Sequence, residues 1–314
     1  MRNAFAAEIT ELAATEKGLV LLSGDIGNRL FDNYKKRFPE RFFNCGVAEA
    51  NMVSVAAGMA LDGLRPITYT IASFMTTRCL EQIRVDVCYH NVPVIIVGVG
   101  GGLSYAANGG THHSCEDIGF LRMLPNMTVI CPGDPVETRL GLRAALERNG
   151  PVYIRLGKKG EPVVHQTEPE FTLGKGITVR KGTDVCLLST GNILPVAVEA
   201  ASRLEQHGVS AQVVSNHTVK PLDLELLAHA FANFSAVVTV EEHSVLGGLG
   251  GSVAEWLSEQ APQRARLGRI GTPDGFLHEA GDQEYARQRF GLTADGVTGK
   301  VMKVLASCAT DVKG

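Results

Sequence analysis

The run Pro93-Val94-Ile95-Ile96-Val97-Gly98-Val99, followed by Gly100-Gly101-Gly102-Leu103-Ser104-Tyr105-Ala106-Ala107-Asn108-Gly109-Gly110-Thr111-His112-His113, decides how the chain is read. An unbroken apolar run that stops in a polar, glycine-rich segment reads as a strand buried on both faces with a loop beyond its carboxyl end. Outward from it, similar runs lie at 18–23, 66–71, 127–131 and 151–155. Helical patterns separate them at 48–61, 77–89, 117–124 and 135–148, the last opened by Asp134 and Pro135 as N-cap and first helical residue. Apolar strands alternating with helices predict a parallel sheet covered on both faces. The pattern breaks over 157–176, then resumes with strands at 184–189, 209–214, 236–240 and 265–270 and helices between and after them, the last ending near Ser307. The expectation is α/β: two doubly wound domains, 1–160 and 177–314, joined by a linker at 161–176.

Composition narrows the function. The 314 residues carry 30 Lys+Arg against 33 Asp+Glu, a net charge of −3 with no basic stripe, so a nucleic-acid partner is not expected. No apolar run reaches the ~20 residues of a membrane span, and the N-terminus lacks a signal-peptide pattern. Seven scattered cysteines form no C-x-x-C pair, which favours reduced thiols, a cytoplasmic setting and no metal site.

Parallel sheets bind ligands beyond the carboxyl ends of their strands. Those positions hold Gly24-Asp25-Ile26-Gly27-Asn28, then Glu49, then Ile71 and Phe74, then the loop with Asn108, His112 and His113, and finally Arg155. Gly98–Leu103 is not a dinucleotide loop, because Leu103 stands at the third glycine position and no helix opens after it. Each candidate has a plain alternative. Glu49 suits the first turn of a helix, where the dipole contributes ~0.3–1 kcal/mol. His112 and His113 suit a turn, Phe74 a core, Asp25 a turn cap, and Arg155 an ion pair at a strand end.

Taken in order, several segments resemble the transketolase family of thiamine-diphosphate enzymes. They are Gly46-Val47-Ala48-Glu49-Ala50-Asn51-Met52, Arg78 with Glu81-Gln82-Ile83-Arg84, Leu103-Ser104-Tyr105, Gly109-Gly110-Thr111-His112, Leu124-Pro125-Asn126-Met127 and Gly150-Pro151-Val152-Tyr153-Ile154-Arg155. Further on, Lys220-Pro221-Leu222-Asp223 and Glu241-Glu242-His243 with Gly247-Gly248-Leu249-Gly250 resemble the family's C-terminal domain. The resemblance implies a pyrimidine-binding domain plus a C-terminal domain, and it contains no Gly-Asp-Gly diphosphate motif. It therefore implies the second subunit of a split transketolase. A partner subunit would carry the diphosphate and magnesium ligands, in an assembly such as α2β2 that includes self-association.

Residue by residue, the resemblance implies the following roles. Glu49 hydrogen-bonds the coenzyme's aminopyrimidine, which calls for a buried carboxylic acid. Phe74 packs on that ring, with Ile71 at a second position that is aromatic in the family, and Asp25 lies on the thiazolium side. His112 contacts substrate oxygens, and Arg155 grips a substrate phosphate. Three positions depart from the family: Gly100 where a His is usual, Asn108 where an Asp is usual, and His113 where a Gln is usual. Asn108 and His113 remain substrate-binding candidates. The implied activity transfers a two-carbon ketol unit from a ketose, phosphorylated in the expected case, to an aldehyde, with substrates changed by the departures. Rival expectations are a 2-oxoacid dehydrogenase β subunit, a deoxyxylulose-phosphate-synthase relative and a non-catalytic scaffold. Glu241-Glu242-His243 is expected to fix a strand-to-helix turn and packing.

Overall fold

The computed structural model describes residues 1–27, 29–158 and 160–311. Asn28 of the loop singled out above, Lys159 at the end of the first expected domain, and residues 312–314 lie outside them. Six strands come from the first half: β1 (Leu19–Ser23), β2 (Phe42–Asn44), β3 (Arg65–Ile71), β4 (Ile95–Val99), β5 (Thr128–Ile130) and β6 (Val152–Leu156). Six follow: β7 (Ile177–Arg180), β8 (Val185–Thr190), β9 (Ala211–Ser215), β10 (Thr218–Lys220), β11 (Ala236–Ser244) and β12 (Arg266–Thr272).

The first sheet runs β10-β5-β6-β4-β3-β1-β2, and the second β12-β11-β8-β9-β7. Within the first, all neighbours are parallel except β10 against β5. Strand alternation feeds two cores. Leu19 and Leu21 of β1, with Ile95, Val97 and Val99 of β4, face the N-terminal helix Arg2–Thr15. Val20, Leu22 and Ile96 face the helix Glu49–Leu61 through Met52, Val53, Ala56 and Ala57. Each such leucine or isoleucine contributes about 1.5–3 kcal/mol by leaving water.

The two α/β layers expected from the sequence are present; β2 and β7 add strands beyond the expected ones, and two differences go further. The pattern read as one helix over 77–89 is divided. Thr76 Oγ1 and Thr77 Oγ1 bond back to the carbonyls of Ala72 and Ser73, ending the helix Ala72–Thr77. A π-helical turn, Ile83–Tyr89, then continues the buried stripe Cys79, Ile83, Val87. The second difference is β10. It lies in the second half of the chain yet pairs with β5, and the His217 carbonyl accepts Cys131 N–H at 2.7 Å. The halves are thus stitched through one sheet. Segment 161–176 has no regular structure, but it is tied down. Asp134, which caps the helix Pro135–Glu147, also accepts N–H groups from Val164 and His165 at 2.9 and 3.0 Å.

Strand order matters for ligand binding. β1 has β2 on one side and β3 on the other, and β4 and β6 extend past β3. The winding therefore reverses at β1, and a crevice opens beyond the carboxyl ends of β1, β2 and β3.

Candidate active site at the switch point

Three chain segments enter that crevice. After β1 comes Gly24, where a Cβ would lie 2.9 Å from Thr70 Oγ1, so a side chain there would press on the Thr70 hydroxyl, while Glu49 Cγ at 3.5 Å would stay in ordinary contact. Asp25 follows in the left-handed region (φ 57°), held there by Asn44 Nδ2 donating to its carboxylate at 2.9 Å. After β2 the chain turns at Gly46 and starts the helix Glu49–Leu61, whose N-terminus has no side-chain cap. Glu49 is only 4% exposed in that first turn. Arg78 donates to its carboxylate, Nη1 to Oε2 at 3.3 Å. Thr70 Oγ1, buried under the same edge, has no hydrogen-bond partner among the described residues.

From Glu49 a row of rings and cations crosses the sheet edge. The Arg78 guanidinium lies 4.1 Å above the Phe74 ring. Phe74 meets the His112 ring edge-on at 5.1 Å, and Tyr105 meets His112 at 6.3 Å. Lys158 Nζ lies 4.9 Å from the Tyr105 centroid. The loop bearing His112 is anchored from below: Ser73 Oγ donates to the Thr111 carbonyl at 3.2 Å, and the Thr111 hydroxyl bonds His112 Nδ1 at 3.0 Å. A buried carboxylate, an aromatic ring covered by Arg78 and an imidazole therefore share one edge. That set can hold a flat, nitrogen-bearing heterocycle at one end and an oxygen-rich substrate at the other. Among the described residues no three His, Cys, Asp or Glu side chains converge to hold a metal ion.

The expected site residues divide accordingly. Glu49, Phe74 and His112 come together. Ile71 is half-buried where the helix Ala72–Thr77 begins, and Asp25 and Asn108 are exposed on their loops. Arg155 requires a correction. It is 2% exposed and reaches no substrate space, because its Nε donates to Asp117 at 2.8 Å and its Nη2 to the carbonyls of Ser114 and Glu242, each at 2.9 Å. Burial opposes its charge, but Asp117 more than offsets this and the guanidinium is held above its ordinary pKa. It is the ion-paired arginine of the plain alternative, buried rather than exposed. His113 is buried as well: it is 8% exposed and bonded to the Ala106 backbone, and burial pushes its pKa down.

Other residues on this edge carry roles that the sequence does not reveal. Arg78 stands in a family-like segment, but nothing local pairs it with Glu49 or lays it on Phe74. Lys158 falls in the stretch where the strand pattern breaks. Glu242 gives no local signal of its partners. It is fully buried, accepts Leu103 N–H at 2.7 Å, and takes Gln283 and Arg287 at 2.9 and 2.5 Å. The second half of the chain thus holds the base of the 100–113 loop. Glu241 does what a turn-fixing residue should: its carboxylate accepts Leu249 and Gly250 N–H at 2.7 and 2.8 Å, where the helix Leu249–Ser258 begins.

Comparison with known proteins agrees with this geometry. Residues 1–161 match the transketolase pyrimidine-binding domain, and residues 174–297 match the transketolase C-terminal domain. A 6-deoxy-6-sulfo-D-fructose transketolase subunit of Clostridium sp. (strain MSTE9) is 38% identical over 94% of this chain and 91% of its own length. An apulose-4-phosphate transketolase subunit of Phocaeicola vulgatus is 36% identical over 94% of each. A solved split-gene transketolase, described as an inactive β4 tetramer, superposes with a TM-score of 0.87 at 38% identity, covering 97% of both chains.

Proposed function

The chain belongs to the transketolase family, and from that premise we propose that it is the half of a split ketol transferase that binds the coenzyme's pyrimidine. The observation that carries this is the buried Glu49 carboxylate at the switch point, linked through Arg78 to the Phe74 face. The residues suit thiamine diphosphate. Glu49 would take the aminopyrimidine, whose ring nitrogen needs a carboxylic acid in a dry setting. Phe74 would pack on the ring once Arg78 moves from its face. Beneath them Gly24 packs closely on the buried Thr70 hydroxyl, which has no hydrogen-bond partner among the described residues. When bound, this coenzyme supplies a stabilised carbanion at its thiazolium carbon.

The chain's own contributions are placement and proton handling. His112, oriented by Thr111, holds substrate oxygens and moves a proton at them, a contribution of ~10²–10⁴-fold for a positioned imidazole. Lys158 replaces Arg155 as the cation offered to an anionic group of the substrate. It stands at the sheet edge after β6, where the buried Arg155 cannot reach. Asp25 remains on the thiazolium side of the proposal, and Asn108 at the substrate mouth. The diphosphate and its magnesium belong to a partner subunit. Two copies of each chain would form the assembly, in the cytoplasm, with the present chain divided at 1–160 and 177–314. Relatives named as transketolase subunits support the existence of a partner chain. Among the described residues no helix is long and apolar enough to cross a membrane.

The test is co-purification with the diphosphate-binding subunit, followed by assay of two-carbon ketol transfer. Glu49→Ala should abolish turnover while the complex still forms. Near-normal activity would refute the assignment. Decarboxylation of 2-oxoacids without ketol transfer would point instead to a dehydrogenase-like role.

A further inference from the structure

The end of β4 contains an exchange of volumes. Gly100 adopts φ +79°, and a Cβ built there would lie 2.0 Å from two ring carbons of Tyr105. A side chain at position 100 and the ring at 105 are therefore mutually exclusive. The ring fills the space above the strand end. Its hydroxyl is engaged by the Arg2 side chain. With the hydroxyl so engaged, what borders His112 at 6.3 Å is ring carbon, with Lys158 Nζ 4.9 Å from the ring's centre. On this flank of the site Gly100 offers no side chain and Tyr105 presents its ring to His112.

We propose that Tyr105 is a specificity-determining residue whose ring, seated over Gly100, forms a non-hydrogen-bonding wall beside His112 and selects substrates with a methyl or methylene carbon there rather than a hydroxyl-bearing one. This rests on the ketol-transfer reading above. A hydroxyl pressed on that wall loses water and gains no partner from the ring, whereas a C–H group packs on it. Discrimination by one such group in a closed site is roughly ten-fold or more.

The experiment uses the complex with its partner subunit, thiamine diphosphate and magnesium, and compares acceptor pairs that differ by one hydroxyl. Acetaldehyde is set against glycolaldehyde, and 2-deoxy-D-ribose 5-phosphate against D-ribose 5-phosphate. Wild type should favour the deoxy member by about ten-fold in kcat/KM. Tyr105→Phe keeps the wall and should keep that ratio. Tyr105→Ala should bring the ratio to near unity, mostly through KM. Asn tolerates a positive φ, so Gly100→Asn with Tyr105→Ala should reverse the preference. Independently of catalysis, Gly100→Asn alone should lower the melting temperature, and Tyr105→Ala should restore it. A wild-type preference for the hydroxylated acceptors, an unchanged ratio in Tyr105→Ala, or no rescue of Gly100→Asn would overturn the proposal. Absence of ketol transfer with every acceptor would instead defeat the reading it rests on, and this proposal with it.

Discussion

Replacing Asp117 by Asn separates the buried ion pair from the role first expected of Arg155. Asp117 is 1% exposed and Arg155 2%, with Nε to Oδ2 at 2.8 Å. The same Oδ2 accepts the Tyr153 hydroxyl at 2.7 Å, while Arg155 Nη2 spans to Ser114 and Glu242. Neutralising one member of a buried pair leaves the other charge without its counterion, at a cost of about 3–5 kcal/mol. The neutral amide still accepts from Arg155 and the guanidinium keeps two carbonyls, so about 3 kcal/mol is expected for Asp117→Asn. Arg155→Met should cost a similar amount. Asp117→Leu combined with Arg155→Met removes both charges and should recover most of the loss. Urea unfolding at pH 7 of the single and double variants gives the coupling. If Arg155→Met stays within about 0.5 kcal/mol of wild type, the range of ordinary surface substitutions, the structural assignment is wrong. A rise in KM confined to phosphorylated substrates would then return Arg155 to substrate binding.

Three further outcomes follow from the site and its support. Burial pushes Glu241 up from 4.5 to about 7, so the native state binds extra protons between those values and stability falls as pH rises through that window. Burial pushes His243 down from 6.5 to about 4, which gives the opposite slope between pH 4 and 6.5. The two offset in wild type. Glu241→Gln should therefore gain urea resistance more steeply than wild type as pH rises from 4.5 to 6.5, and identical pH profiles would contradict the paired burial. Lys158→Ala should raise KM for an anionic donor ten-fold or more, the value of a charged hydrogen bond, and leave KM for a neutral donor unchanged. Arg78→Ala frees the Phe74 face from a half-exposed guanidinium worth ~1 kcal/mol, so the complex should take up thiamine diphosphate about five-fold more tightly; calorimetry showing weaker uptake would assign Arg78 to coenzyme retention.

The sheets are legible because continuous apolar strands leave an unmistakable pattern, as in β1, β4 and β6, each buried along its whole length. The helix cap at Asp134 is legible for the same local reason, and its side chain accepts Glu137 N–H at 2.8 Å. β10 is not, because three residues carry no period and its pairing partner lies some ninety positions earlier. Glu49, Phe74 and His112 stand out by their place after successive strands, which topology converts into proximity. Arg155 misleads because its place at a strand end is local while its partners, Asp117 and the Glu242 carbonyl, are not. Tyr105 stands in plain view within the loop. Its meaning depends on the absent side chain at Gly100, and that clash exists only in three dimensions.

The claim beneath all of this is that a carboxyl group at the β1 switch point forms half of a coenzyme site completed by another polypeptide. Isothermal calorimetry with thiamine diphosphate and magnesium, on the chain alone, on the complex, and on the complex with Glu49→Ala, tests it most directly. The account predicts saturable binding by the wild-type complex only, with the isolated chain silent and the variant at least ten-fold weaker. Equal affinity in the variant, or no uptake by the wild-type complex, would contradict it.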